Sequence, residues 1–120
     1  MTDFSLQQNN AIYRITTACE KLNLSTAAAL KIFAAASYAY RKGCAFTIER
    51  IAEQLVAAIK AQLSKGFEAR LAYVDYMGFW APANAYQEWG VDFSDYEKGG
   101  AWLVVNPYGF SHYSEHVAEN

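Results

Sequence analysis

His112, Glu115 and His116 stand as H-x-x-E-H in the tail SHYSEHVAEN, and the pair of histidines is all that the 120-residue chain contains. That order is the reversed zinc-hydrolase signature, in which two imidazoles hold the ion and a glutamate moves the proton. Such a clamp needs a helix. With a rise of 1.5 Å per residue, positions i and i+4 lie about 6 Å apart along one face, close enough to share an ion through Zn–N bonds of about 2.0–2.1 Å. On a strand the same four steps cover about 13 Å, and two imidazoles cannot easily converge. Asn106-Pro107-Tyr108-Gly109 just before the tail has the residue order of a type I turn, so FSHYSEH reads as the return strand of a hairpin. No catalytic residue, metal ligand or cofactor is therefore assigned. A metal-dependent hydrolase using His112, Glu115 and His116 is retained as an alternative that a helical tail would favour.

Other chemistry-bearing residues give weaker patterns. Asp92, Asp95 and Glu97 in VDFSDYEKGG lack the D-x-D-x-D-G register of a calcium loop and read as a solvated acidic loop. Asp75, Glu88 and Asp92 could in principle pair for acid/base work, but their spacing fixes no distance between them. Phosphate loops, dinucleotide fingerprints and G-x-S-x-G elbows are missing from the sequence. Cys19 and Cys44 sit among apolar helical neighbours without C-x-x-C spacing, as expected of two buried, reduced thiols.

The charges divide along the chain. Residues 1–70 hold nine Lys/Arg against five Asp/Glu, a balance of +4, whereas residues 71–120 hold Lys98 alone against seven acids, a balance of −6. The aromatics divide too, with seven in the first part and twelve in the second. In the second part the loop carrying Phe79, Trp80, Tyr86, Trp89, Phe93 and Tyr96 is interleaved with Glu88, Asp92, Asp95 and Glu97, and all of these but Phe79 are taken as contact residues. Tyr and Trp supply rigid contact area and are enriched at interface hot spots, and carboxylates around them steer a basic partner. Those nine residues are the expected partner-binding surface. The expected function is a small non-enzymatic protein-binding module, an inhibitor or antagonist of the immunity-protein or phage anti-defence type, acting on a basic, nucleic-acid-handling protein. Direct nucleic-acid binding is disfavoured by the acidic overall charge; Arg41, Lys42, Arg50, Lys60 and Lys65 read as polar helix faces. An acidic export or assembly chaperone, and an aromatic ligand site around Trp80 and Trp89, are further alternatives.

The elements that must position these residues follow from periodicity. A 53% hydrophobic, 18% charged composition indicates a folded domain, expected as one unit over 1–120 with a helical part (1–66) and an acidic, aromatic-rich β/loop part (67–120). Ile12, Ile15, Cys19 and Leu22 predict one helix stripe. Ser25 should cap a crowded, alanine-rich second helix that stops at Gly43. Thr47 should cap a third helix striped by Ile48, Ile51, Ala52, Leu55, Val56, Ile59 and Leu63. EARLAYVDYM and AWLVV are strand candidates, with residues 78–100 read as loop between them. The fold class expected is α+β, a three-helix antiparallel layer packed on a small C-terminal antiparallel sheet or hairpin. A basic-then-apolar leader and an apolar run of about 20 residues are both lacking, which points to a cytoplasmic protein outside the membrane.

Overall fold

The computed structural model describes residues 4–43, 45–66, 68–74, 78–82 and 100–116. Helices α1 (Phe4–Lys21), α2 (Thr26–Arg41) and α3 (Ile48–Leu63) are followed by strands β1 (Ala69–Val74), β2 (Trp80–Pro82), β3 (Gly100–Val105) and β4 (His112–His116). The fold is α+β, helices first and an antiparallel sheet after.

Local chemistry sets the helix ends. The Ser25 hydroxyl accepts the Ala28 N–H at 3.1 Å and the Thr47 hydroxyl accepts the Arg50 N–H at 3.1 Å, so each cap satisfies an amide that the helix itself cannot. Gly43, with φ +82°, ends α2 in the left-handed conformation. The α1 terminus uses a Schellman arrangement on Asn23, whose φ is +58°. The Leu24 N–H donates to the Cys19 carbonyl at 2.8 Å and the Asn23 N–H to that of Glu20 at 3.3 Å.

The α1 stripe is rotated from the expected one. Ala11, Ile15 and Cys19 are buried, whereas Ile12 is 42% exposed. An inward Ala11 lets the helix approach its neighbours closely, and Ile12, one residue on, turns by about 100° toward solvent. In α3 the buried residues are Ile48, Ile51, Ala52, Leu55 and Ile59, as the periodicity predicts. Helix α2 is the crowded one: it buries seven residues to five in α3 and three in α1, and five of its seven are alanine. It packs against both other helices and against β3 and β4, while α3 lies on β1 and β2.

The sheet order is β2-β1-β3-β4, every neighbouring pair antiparallel. Alternation selects the face that meets the helices. Ala69, Leu71 and Tyr73 of β1 register with Val105, Leu103 and Ala101 of β3, and all six belong to the core. Arg70, Ala72, Trp102 and Val104 occupy the reverse face by the same register, where Ala72 and Ala81 are fully buried. Strand β2 corrects the reading of residues 78–100 as loop throughout. It is only three residues long and ends in Pro82, a residue that edge strands tolerate because the missing N–H costs no internal ladder bond.

The rotated α1 stripe gives a direct test by urea unfolding. Ile15→Ala should lose about 2–5 kcal/mol, and Ile12→Ala less than about 1 kcal/mol. Equal losses at the two positions would contradict this placement of α1.

Candidate binding surface

The centre of the molecule is aromatic on the sheet side and alanine on the helix side. Tyr73 of β1 is fully buried and stands edge-on to Tyr38 of α2, with ring centroids 5.2 Å apart, and to Trp80 of β2 at 5.6 Å. Tyr113 of β4 closes the set at 6.5 Å from Trp80. Such pairs add to the area they bury because the positive edge of one ring meets the negative face of another. The Trp80 indole N–H donates to the Ala35 carbonyl at 3.1 Å. A helical carbonyl carries two lone pairs, and with only methyl groups at 35 and 39 the backbone of α2 is open to the indole.

Trp80 thereby forms one side of an apolar groove of about 610 Å³ between α3 and β2. Ile51, Leu55, Ala58 and Ala61 of α3 line one wall; Phe79, Trp80 and Pro82 line the other; Phe46 closes an end. Phe46 precedes the Thr47 cap and Ile51 is the fourth helical residue, the two positions of a hydrophobic staple. Phe46 and Phe79 are still 43% and 41% exposed, so their rings present apolar surface to the groove mouth. Every described residue lining it is uncharged. A second groove, about 390 Å³, lies on the other flank of α3 against α1 and carries Arg14, Lys21 and Lys60 with Glu53. Arg14 also pairs with Glu49 at 3.5 Å, and Arg50 with Glu53 at 3.4 Å. These cations sit on polar faces of amphipathic helices, as the sequence suggests.

The H-x-x-E-H tail is a strand. In its register with β3, His112 stands opposite Val104 and His116 opposite Gly100, on the reverse face, while Glu115 stands opposite Ala101 on the helix face. The motif is therefore split across the sheet, and its histidine positions are about 13 Å apart along the strand. Among the described residues no group of three His, Cys, Asp or Glu is placed to hold a metal ion. Glu115 is engaged elsewhere. It takes the Arg41 guanidinium at 2.5 Å and the Tyr113 hydroxyl at 2.8 Å. Partial desolvation pushes its carboxyl up, but the hydrogen bonds from Tyr113 and Arg41 and the charges of Arg41 and Lys42 outweigh it and hold the group below the usual carboxylate range. Burial, then the bond to Glu115, pushes the Tyr113 phenol far above its ordinary value. Arg41 and Lys42 both lie over the Tyr38 ring, at 5.7 and 5.4 Å from its centroid.

The β3–β4 turn is closed by side chains. The Tyr108 N–H donates to Asn106 Oδ1 at 2.8 Å, the Asn106 N–H to the Ser111 hydroxyl at 3.2 Å, and Asn106 Nδ2 to Glu68 at 3.4 Å. This pinned turn holds Tyr108 85% and Phe110 97% exposed. Of the nine residues expected to meet a partner, Trp80 is described: it is half-buried and lines the apolar groove. Tyr86, Glu88, Trp89, Asp92, Phe93, Asp95, Tyr96 and Glu97 lie outside the described residues, as does Cys44, while Cys19 is buried and its thiol pushed up by desolvation. Sequence reasoning missed Phe46, Ala58 and Ala61. The available signal was the staple position of Phe46 and the small residues on one flank of α3. No described helix is long and apolar enough to cross a membrane. The chain matches no protein-family model, no curated protein and no solved structure.

Two outcomes follow from these contacts. Glu115 is charged at neutral pH, and its lowered folded-state pKa makes the ion pair stabilising above the ordinary carboxylate range and ineffective below it. Glu115→Gln should be less stable than wild type by up to about 1 kcal/mol at pH 7, with the gap closing as the pH falls toward 3; a gap independent of pH would refute the pairing. Phe110→Ser should leave the unfolding free energy within about 0.5 kcal/mol of wild type, whereas a large loss would show the ring to be packed.

Proposed function

We propose that the protein is a small binding module whose acidic, aromatic second part captures a basic protein partner, and that it acts as an inhibitor or antagonist of a nucleic-acid-handling protein. The observation that carries this reading is the division of the chain: +4 over residues 1–70 and −6 over 71–120, with twelve of the nineteen aromatics on the acidic side. Carboxylates spaced among aromatic rings can occupy a groove built for phosphates and bases, with the acids answering the lysines and arginines and the rings supplying contact area. The fold supports the reading in two ways. Its core draws Tyr73, Trp80 and Tyr113 from the second part, and Phe79, Tyr108 and Phe110 of the same part are exposed. The H-x-x-E-H residues lie on a strand, with positions 112 and 115 on opposite faces of the sheet, which leaves the metal-hydrolase alternative without its clamp.

The test is capture of the partner from the native host by tagged protein, followed by replacement of Asp92, Asp95 and Glu97 with lysine. The charge-reversed protein should retain its far-ultraviolet circular dichroism and melting behaviour and lose at least tenfold in partner affinity, most strongly at low salt. Unchanged capture would remove residues 92–97 from the binding surface.

A further inference from the structure

The groove between α1 and α3 is apolar along its floor and cationic at one end, and we infer that it seats an acidic amphipathic helix of another protein, antiparallel to both of its walls. The inference goes beyond the binding-module reading and uses a different face, because α1 packs chiefly on the other two helices. The two walls run parallel. Short links reverse the chain after α1 and again after α2. Arg14 pairs with Glu49 in the first turn of α3 at 3.5 Å, whereas Lys21 and Lys60 line the groove from the last turns of the two helices. From Tyr13 to Leu22 the α1 side covers nine steps, about 13.5 Å. An incoming helix that anchors side chains at i, i+3, i+4 and i+7 occupies about 10.5 Å of axis, so a full set of anchors fits. Ala18, Leu22 and Val56 are half-buried and form the floor, and Tyr13, 70% exposed, stands as a rim beside them.

Charge selects the occupant and its direction. Arg14 is answered by Glu49 and Glu53 by Arg50, so the paired end of the groove is close to neutral. Lys21 and Lys60 enter no ion pair with a described residue, and the described lining carries Arg14, Lys21 and Lys60 against Glu53, a balance of +2. One ammonium group on each wall favours a segment that brings carboxylates to that end of the apolar floor. The direction follows from the helix dipoles. Parallel α1 and α3 present two negative C-terminal ends where the lysines stand, and carboxylates favour the first turn of a helix, whose N-terminal end is positive. An incoming helix that begins there sets its acids beside Lys21 and Lys60 and its positive end beside two negative ones. Its apolar stripe then runs over Leu22, Ala18 and Val56.

The experiment titrates the full chain with a fluorescent synthetic helix of about 18 residues, five turns, which has leucine anchors and carries glutamates in its first turn. One control peptide has glutamine for glutamate, and another has the same glutamates in its last turn. The acid-first peptide should bind at least tenfold more tightly than the glutamine peptide and at least threefold more tightly than the acid-last one. Lys21→Glu with Lys60→Glu, both at exposed positions, should remove the preference for glutamate over glutamine while the circular dichroism of the protein stays the same. Tyr13→Ser should weaken acid-first binding at least threefold. Equal acid-first binding by wild type and the double lysine variant overturns the groove assignment, and equal affinity of wild type for the glutamate and glutamine peptides overturns the acidic character of the occupant. Equal affinity for the acid-first and acid-last peptides overturns the antiparallel seating. If light scattering shows the chain alone to be a dimer that Tyr13→Ser dissolves, the face belongs to a second copy and the acidic helix is refuted.

Discussion

The constraint on which the rest of the structure depends is one of volume. Helix α2 lies between the other two helices and the sheet and buries alanine at 28, 29, 35, 36 and 39, which contributes little more than methyl groups to an interior that has to be packed as densely as an organic crystal. The sheet must fill what the helix leaves. Tyr73, Trp80 and Tyr113 do so, with Tyr38 the one large ring that α2 contributes to the cluster. Bare backbone on α2 also makes the Ala35 carbonyl reachable, and the Trp80 indole uses it. That bond explains how a strand of three residues at the sheet edge keeps its place. Its ladder with β1 is short, and its largest side chain is anchored in the helix layer.

The groove follows from the same arithmetic applied to α3. This helix buries Ile48, Ile51, Leu55 and Ile59 against the core, and the residues on the flank toward β2 are small or uncharged. Among the described residues β2 is only three residues long beneath α3, and the trough lies in the angle between them. On the opposite flank α1 comes close, and there the side chains are charged and paired in part with one another. One helix thus separates an apolar face from a cationic one, which matters for any partner that carries charge.

Helix ends and faces were readable wherever a residue's own backbone preference decides. Ser25, Gly43 and Thr47 act locally, and a local preference survives any tertiary setting. The α1 stripe was misread by one residue because Ile12 is more hydrophobic than Ala11, and transfer free energy favours the larger side chain where packing favours the smaller. Strand β2 could not be read from periodicity. Three residues give less than two periods of alternation, and flanking Gly78 and Pro82 both signal a loop. Its position has a logic that only the topology exposes. Strands β2 and β3 both run antiparallel to β1, hence parallel to each other, and parallel strands need a connection of a dozen or more residues. The seventeen residues between Pro82 and Gly100 are that length. The groove was illegible for a related reason: its walls come from residues 46, 51–62 and 78–82, and no spacing rule joins them.

The tail shows why a motif is a statement about period as well as composition. H-x-x-E-H places three side chains on one side only where the backbone repeats every 3.6 residues. With a period of two, the even-numbered positions 112 and 116 go one way and 115 goes the other. In the strand that forms, the acid is turned toward α2, where the helix C-terminus presents Arg41, a cation already favoured there by the helix dipole. Tyr113, two residues away on the same face, then finds an acceptor for its hydroxyl in the same carboxylate, and a half-buried phenol is satisfied without water. The pair also joins the two oppositely charged parts of the chain across 74 residues. What composition offers as a proton-transfer group, the fold uses to hold the last strand against the second helix.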